Sequence, residues 1–240
     1  MGISFPIDWY RLMRLLSWET ATLRKGHVIR EEERPVDTGE LPGSAGEHRL
    51  QEKFGSTTRA RAFYRSQLRD RLNPWMQKFI AEQEMAFIAS ADAQRACDCS
   101  FRAGTKGFIR VLDERTVAYP EYRGNGVYAS LGNVLENPHI GILLIDFFHH
   151  TIGLHVNGLA TIVSDEELLR RPNVPECLRR EVESAAGPHP RLWVVVTIEE
   201  AYIHCAKHIP RLAKLEKPID WGTDDRDQKG GDYFHVNEWS

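Results

Sequence analysis

The central part of the chain places basic and hydroxyl side chains beside a predicted turn and helix. Arg102 and Arg123 supply guanidinium groups, and Ser130 lies near the start of a helix predicted over about 127–136. Guanidinium groups, hydroxyls and the backbone N–H groups at a helix start are donors that together hold a phosphate. A capped helix after an ordinary tight turn explains these residues equally well, so the pattern alone leaves both interpretations open.

Four cysteines offer thiol or metal chemistry. Cys97-Asp98-Cys99 lies on a predicted strand, where alternation turns both sulfurs to one face as a conceivable metal or redox pair. No second pair stands at ligand spacing, and Cys177 and Cys205 are too scattered to complete a disulfide scaffold. We therefore predict reduced, buried structural thiols and no metal site.

Three histidines stand close to the predicted strands. His149 and His150 separate two apolar segments, which predicts an exposed hairpin turn, and His155 lies within the next strand. An imidazole at these positions could reach a pocket, although exposure in the turn is the favoured interpretation for the first two.

Composition excludes several classes of protein. The 240 residues contain 31 Lys and Arg against 34 Asp and Glu, a formal net charge of -3. This balance gives no whole-chain electrostatic reason to bind nucleic acid. No run approaches the roughly 18 apolar residues of a membrane span, and the first residues lack a signal pattern, so we predict a cytoplasmic protein.

Apart from the helix over about 127–136, the predicted helices lie in the first third of the chain. Apolar residues at helical spacing predict a helix over 8–25, a polar loop follows over 26–55, and Ala60, Tyr64, Leu68 and Leu72 predict a second helix from Thr57. Asn73-Pro74 predicts the start of a third helix, ending near Ile80. The arginines of the second helix favour a solvated helix face over a nucleic-acid surface; they are Arg59, Arg61, Arg65, Arg69 and Arg71.

Short apolar segments bounded by turn residues follow in close succession. They predict strands at 85–91, 97–102, 108–112, 116–120, 139–146, 151–156, 158–164 and 192–203, with Asn157-Gly158 as a turn. Close spacing of this kind favours an antiparallel barrel over units in which helices alternate with parallel strands.

Two separated groups of motifs resemble one family. The first group comprises Ser100-Phe101-Arg102, the segment 119–125 with sequence YPEYRGN, Ser130-Leu131-Gly132-Asn133 and the segment 154–160 with sequence LHVNGLA. The second is the segment 200–207, with sequence EAYIHCAK. In this order they resemble the pyridoxamine-phosphate-oxidase-like flavin proteins, in one FMN-binding branch of that superfamily.

The resemblance implies a mainly β protein: a six-stranded antiparallel split β-barrel that forms a homodimer, with FMN at the dimer interface. It assigns 1–80 to a helical N-terminal extension, 81–215 to the barrel and 216–240 to a tail over the partner's site. Matched residue by residue, the cofactor-binding set is Ser100, Arg102, Tyr119, Glu121, Arg123, Asn125, Ser130, Asn133, His204, Lys207 and Arg211.

The chain also departs from the family pattern at two places. Authentic pyridoxamine-phosphate oxidases carry an Arg-Lys pair before the helix, where this chain has Gly126-Val127-Tyr128-Ala129-Ser130. The phosphate must therefore be held by other cations, among which Arg102, Arg123, Lys207 and Arg211 are available. The chain also lacks the terminal Arg-x-His segment of those enzymes, which argues against vitamin B6 oxidation.

The resemblance thus implies an FMN-dependent oxidase or reductase acting on a small organic substrate. Flavin would perform the redox chemistry, so the sequence identifies no catalytic residue. Three alternatives stay open: a non-catalytic flavin sensor or carrier, a haem-binding split-barrel protein suggested by the histidines, and a deazaflavin-binding relative.

Overall fold

The computed structural model describes residues 41–184, 190, 192–217, 219 and 225–238. The helix predicted over 8–25 lies outside these residues, as do parts of the tail predicted over 216–240. Across the described ranges, no helix is both long enough and apolar enough to cross a membrane.

Three helices precede the first strand in the described part of the chain: α1 Ala45–Lys53, α2 Thr57–Ser66 and α3 Pro74–Ala81. The prediction of a loop through residue 55 is therefore wrong over α1. A capping box starts this helix, since Ser44 Oγ accepts from the Glu47 N–H at 3.2 Å and the Glu47 carboxylate accepts from the Ser44 N–H at 3.1 Å. Local hydrogen bonds thus form a helix in a segment without apolar periodicity.

The other two helices start where they were predicted. Asn73 Oδ1 accepts from the Met76 N–H at 2.9 Å, and proline occupies the first position of α3. Helix α2 ends at Ser66, earlier than the apolar pattern suggests. The reason is tertiary: Arg69 exchanges two backbone hydrogen bonds with Ala201 in an isolated antiparallel bridge, which requires an extended backbone there.

The described strands form one antiparallel sheet. They are β1 Met85–Ala91, β2 Cys97–Ala103, β3 Arg110–Asp113, β4 Thr116–Glu121, β5 His139–Asp146, β6 Ile152–Val163 and β7 Leu192–His204. Their order across the sheet is β2-β1-β5-β6-β7-β4-β3. The sheet therefore has seven strands rather than the six implied by the resemblance, because the short β3 pairs with β4 at one edge.

The two strands predicted on either side of Asn157-Gly158 are one continuous strand, β6. The pairing register of β6 against β7 shifts between these two residues, so the predicted turn is a β-bulge. A Cβ atom on Gly158 would collide with the carbonyl oxygen of Thr197. Glycine is required because the two backbones approach too closely for a side chain.

The inward face of the sheet forms the main core. Ile88, Ile142, Val156 and Val194 are fully buried in it, together with residues of α3 and of α4 (Ala129–Glu136). A smaller core surrounds Trp193 and includes α5 (Asp165–Leu169) and α6 (Glu176–Glu183). Together the two cores fix β4 and the start of α4, and β2 is held by its antiparallel pairing with β1.

The opposite face of β2, β1 and β5 is apolar and only partly covered within the chain. The register places Phe101, Phe87 and Leu143 side by side, and the Phe101 and Phe87 rings lie 5.6 Å apart. Cys97 and Cys99 occupy the same face of the edge strand and are exposed, as are Cys177 and Cys205. The prediction of buried thiols is therefore wrong, because these residues alternate outward or lie on surface segments.

The turn between β5 and β6 is built around one carboxylate. Asp146 accepts hydrogen bonds from the backbone N–H groups of Phe148, His149 and His150 at 2.8–2.9 Å. Burial acts to raise the pKa of Asp146, but the three N–H donors outweigh it and the net pKa is lowered. His149 and His150 are exposed, which confirms the predicted hairpin turn.

Candidate functional site

An open pocket of about 490 Å³ lies where β2, the end of β4 and the start of α4 meet. Its walls come from β2 between residues 98 and 102, from the end of β4 with the loop that follows it, and from the first turn of α4. We call it the β2–α4 pocket. Its volume lies within the range of small-molecule and cofactor sites.

An ion pair forms one wall of the pocket. Arg102 Nε donates to Glu121 Oε1 at 2.8 Å, joining the end of β2 to the end of β4. The Glu121 side chain is only 7% exposed, whereas that of Arg102 is 24% exposed. Burial raises the pKa of Glu121 above its usual value, and the Arg102 guanidinium partly offsets this effect. The pair therefore anchors the guanidinium while leaving its outer edge near the pocket.

A cluster of two hydroxyls and one carboxylate lies beside the ion pair. Ser100 Oγ donates to Asp98 Oδ2 at 2.8 Å, and Ser130 Oγ donates to the same oxygen at 3.1 Å. The two hydroxyl oxygens are 2.8 Å apart, and Arg102 Nη2 approaches Ser130 Oγ at 3.5 Å. The cluster connects β2 to the first turn of α4 across 32 residues of sequence.

The helix start that faces the pocket lacks a side-chain cap. Tyr128 precedes α4 in the left-handed region, with φ 56, and provides no capping hydrogen bond. The preceding loop is tightened by Asn125, whose Oδ1 accepts from the Val127 N–H at 3.0 Å. The first N–H groups of an α-helix have no partner within the helix, and the helix dipole adds partial positive charge there. This end of the pocket therefore suits an anion.

The structure brings together six of the eleven predicted cofactor-binding residues. Ser100, Arg102, Glu121, Arg123, Asn125 and Ser130 all line the β2–α4 pocket. Tyr119 is instead buried in the core, where burial raises its pKa. Asn133 points from α4 towards β1 and donates to Ser90 Oγ at 3.1 Å.

The three predicted residues of the C-terminal segment lie away from this pocket within the same chain. The two ring nitrogens His204 Nδ1 and His155 Nε2 are 2.9 Å apart, and the His155 ring stacks on Tyr202. Burial lowers the pKa of His155, and the charge of His204 lowers it further. Lys207 lies in a short turn after β7, and Arg211 Nε donates to the Phe148 carbonyl at 3.4 Å.

Sequence reasoning missed Asp98 as a pocket residue. Asp98, Ser100 and Arg102 stand at every second position of β2, so strand alternation places them on one face. That period was the signal that could have identified Asp98. The neighbouring cysteines drew the interpretation towards thiol chemistry instead.

A second pocket of about 490 Å³ lies between α1, α2 and β7. Glu47, Arg59, Tyr64, Glu200 and Tyr202 are among its lining residues. It contains none of the eleven predicted residues, so the β2–α4 pocket is the stronger candidate.

The family model described as pyridoxamine 5'-phosphate oxidase matches residues 72–205, which is more than half of the chain. The chain belongs to this family. The matched range includes all seven strands and the whole β2–α4 pocket. The antiparallel sheet with flanking helices fits the split-barrel class of this family, and the predicted fold class is confirmed apart from the strand count.

Several solved structures are similar to the chain. HupZ from Group A Streptococcus is 17% identical, with a TM-score of 0.42, over 59% of this chain and 100% of that one. General Stress Protein 26 from Bacillus anthracis is 15% identical, with a TM-score of 0.35, over 53% and 89% of the two chains. A structure named F420 Reductase is 15% identical, with a TM-score of 0.36, over 52% and 94%. A comparison with curated proteins finds no match.

Proposed function

We propose that this protein is an FMN-dependent oxidoreductase that acts on a small organic substrate and binds FMN in the β2–α4 pocket. The observation that carries the proposal is the combination, in one pocket, of two arginines with an uncapped helix start. This donor set fits a phosphate. Membership of the pyridoxamine 5'-phosphate oxidase family supports the choice of a flavin nucleotide.

The β2–α4 pocket contains both positively and negatively charged groups that would lie around FMN. Arg102, Arg123 and the first backbone N–H groups of α4 would hold the phosphate. The pocket also contains the carboxylates of Asp98 and Glu121, which offset the two guanidinium charges. Burial raises the pKa of Glu121, and the Arg102 guanidinium acts in the opposite direction. When bound, FMN supplies the redox chemistry, and the chain supplies binding and orientation.

We further propose that the protein is a homodimer whose subunits meet on the apolar face of β2, β1 and β5. Phe101 is 55% exposed on this face and also lines the β2–α4 pocket. A partner subunit on this face would therefore lie beside the flavin. The predicted role of His204, Lys207 and Arg211 near the cofactor requires such a partner, since they lie away from the pocket of their own chain.

The test is FMN binding, followed by flavin absorbance and by quenching of flavin fluorescence. We expect the wild-type protein to bind FMN, and R102M to bind it at least about tenfold more weakly, the effect of losing a hydrogen bond to a charged group. R180M is the matched control, because Arg180 is exposed on α6, where it pairs with the exposed Glu176. A wild-type protein that stays colourless and binds no added FMN contradicts the proposal.

Turnover distinguishes an enzyme from a flavin-binding sensor. Stopped-flow absorbance can follow reduction of the bound flavin by a nicotinamide and its reoxidation by candidate small acceptors. We expect a nicotinamide to reduce the bound flavin and at least one acceptor to reoxidise it, so that the protein turns over repeatedly. Stably bound flavin that no donor reduces would favour the non-catalytic alternative.

A further inference from the structure

The cluster of Asp98, Ser100 and Ser130 contains more contacts than protons. Three oxygen–oxygen contacts connect these side chains, at 2.8, 2.8 and 3.1 Å. Each serine hydroxyl carries one proton, and an ionised carboxylate carries none. Turning either hydroxyl proton towards a ligand would leave two of these three oxygen–oxygen contacts without a proton between them, whereas keeping both protons inside leaves only one. The favoured arrangements therefore keep both hydroxyl protons within the cluster. Neither serine therefore has a proton left to donate to a ligand.

This proton count gives the two sides of the pocket opposite characters. Ser130 Oγ already has Arg102 Nη2 as a further neighbour at 3.5 Å, whereas Ser100 Oγ keeps lone pairs for a ligand. Asp98 itself lines the pocket. The Asp98 side is therefore an acceptor surface that suits O–H and N–H groups of a ligand. The adjoining side, with Arg102, Arg123 and the start of α4, is a donor surface that suits an anion.

We propose that Asp98 is a positioning residue that determines ligand specificity by fixing the direction of the two serine hydroxyls. Ionised Asp98 makes this side of the pocket bind donor groups, such as the hydroxyls of a sugar-like chain, and repel phosphate. A ligand that carries both a polyol chain and a phosphate is thereby bound in one orientation. This inference rests on the proposed function insofar as the ligand is a flavin.

The experiment compares riboflavin with FMN, which differ only by the phosphate. Kd for each is measured by fluorescence quenching with the wild-type protein, D98N and D92N. In D98N the side-chain amide donates to the serines, which frees a hydroxyl proton and removes a negative charge. We expect riboflavin to bind at least about tenfold more weakly to D98N, the effect of one lost hydrogen bond to a charged group. The ratio of the riboflavin Kd to the FMN Kd should rise at least about fivefold.

The matched control has the same charge change without the serine contacts. Asp92 lies in the turn before β2, where it accepts from the Ala96 N–H. We expect D92N to leave the Kd ratio unchanged. A D98N ratio equal to that of the wild type overturns the inference while the proposed function stands.

Two further measurements separate the possible failures. If D98N does not fold, S100A is the deciding variant. We expect S100A to bind riboflavin and FMN each about fivefold more weakly than the wild type does, with an unchanged ratio of the two Kd values. Unaltered binding of both flavins overturns the inference. If the wild-type protein binds neither flavin, the proposed function fails, and inorganic phosphate becomes the probe in a calorimetric titration. D98N should then bind phosphate at least about fivefold more tightly than the wild type. Equal phosphate binding by D98N and the wild type overturns the inference, and so does the absence of phosphate binding by both proteins.

Discussion

Replacing Arg102 with methionine removes the cation that faces the buried carboxylate of Glu121. In the native protein the two groups meet at 2.8 Å between β2 and β4. Methionine keeps an unbranched apolar stem, so the substitution chiefly removes charge and hydrogen bonding. The variant therefore isolates the effect of leaving Glu121 without its partner.

The expected cost follows from burial. Breaking a fully buried ion pair costs about 3–5 kcal/mol, because the remaining charge is left uncompensated. The Arg102 side chain is 24% exposed, so we expect about 2–3 kcal/mol. Burial already raises the pKa of Glu121, and loss of Arg102 removes the influence that lowers it. Glu121 then holds a proton to higher pH in the native state than in the unfolded chain, so the free energy of unfolding falls as pH rises above the usual carboxyl range.

The assay is urea denaturation of the wild type, R102M, E121Q and the double variant at about pH 5 and about pH 8. The destabilisation of R102M should be larger at the higher pH. The double variant should lose this extra pH dependence, because glutamine does not ionise. The reasoning is refuted if R102M is equally destabilised at both pH values, or if the double variant shows the same pH dependence as R102M.

Three further perturbations test the turn, the bulge and the proposed interface. D146N should lower the free energy of unfolding by about 1.5–3 kcal/mol at neutral pH, since one of the three N–H donors then faces an amide N–H group. The lowered pKa of Asp146 means that the stability contributed by its carboxylate disappears as pH falls. A destabilisation by D146N that persists unchanged in acid would therefore contradict this prediction. G158A should cost about 3 kcal/mol in a thermal or urea melt, because the new Cβ meets a β7 carbonyl. G132A, in α4 with open space around it, should instead stabilise by about 0.5–1 kcal/mol, and equal effects would refute the role of the bulge. F101E should convert the proposed dimer to a monomer in light scattering, because a charge in an apolar interface is left unpaired; a wild-type monomer would contradict the proposed homodimer.

Local patterns in the sequence predicted most of the individual elements. The Asn73-Pro74 start of α3 was predictable because the cap and the first proline act within one turn. The strands were predictable because apolar residues at alternate positions mark the buried face of a sheet. The early end of α2 was not predictable, since it depends on a bridge between Arg69 and the distant Ala201.

The sequence by itself determined which residue types were available for the site and, through strand alternation, that Ser100 and Arg102 share one face of β2. Only the tertiary structure decided their partners. Four strands separate β2 from β4 in the sheet order, so Glu121 reaches Arg102 because the sheet curves and brings these two strands together. Ser130 reaches Asp98 because α4 packs against β1 and β2. His204 pairs with His155, away from the pocket, because the β6–β7 register places it there. Periodicity is set by neighbouring residues, whereas contact between distant segments is set by strand order and register, which no local pattern encodes.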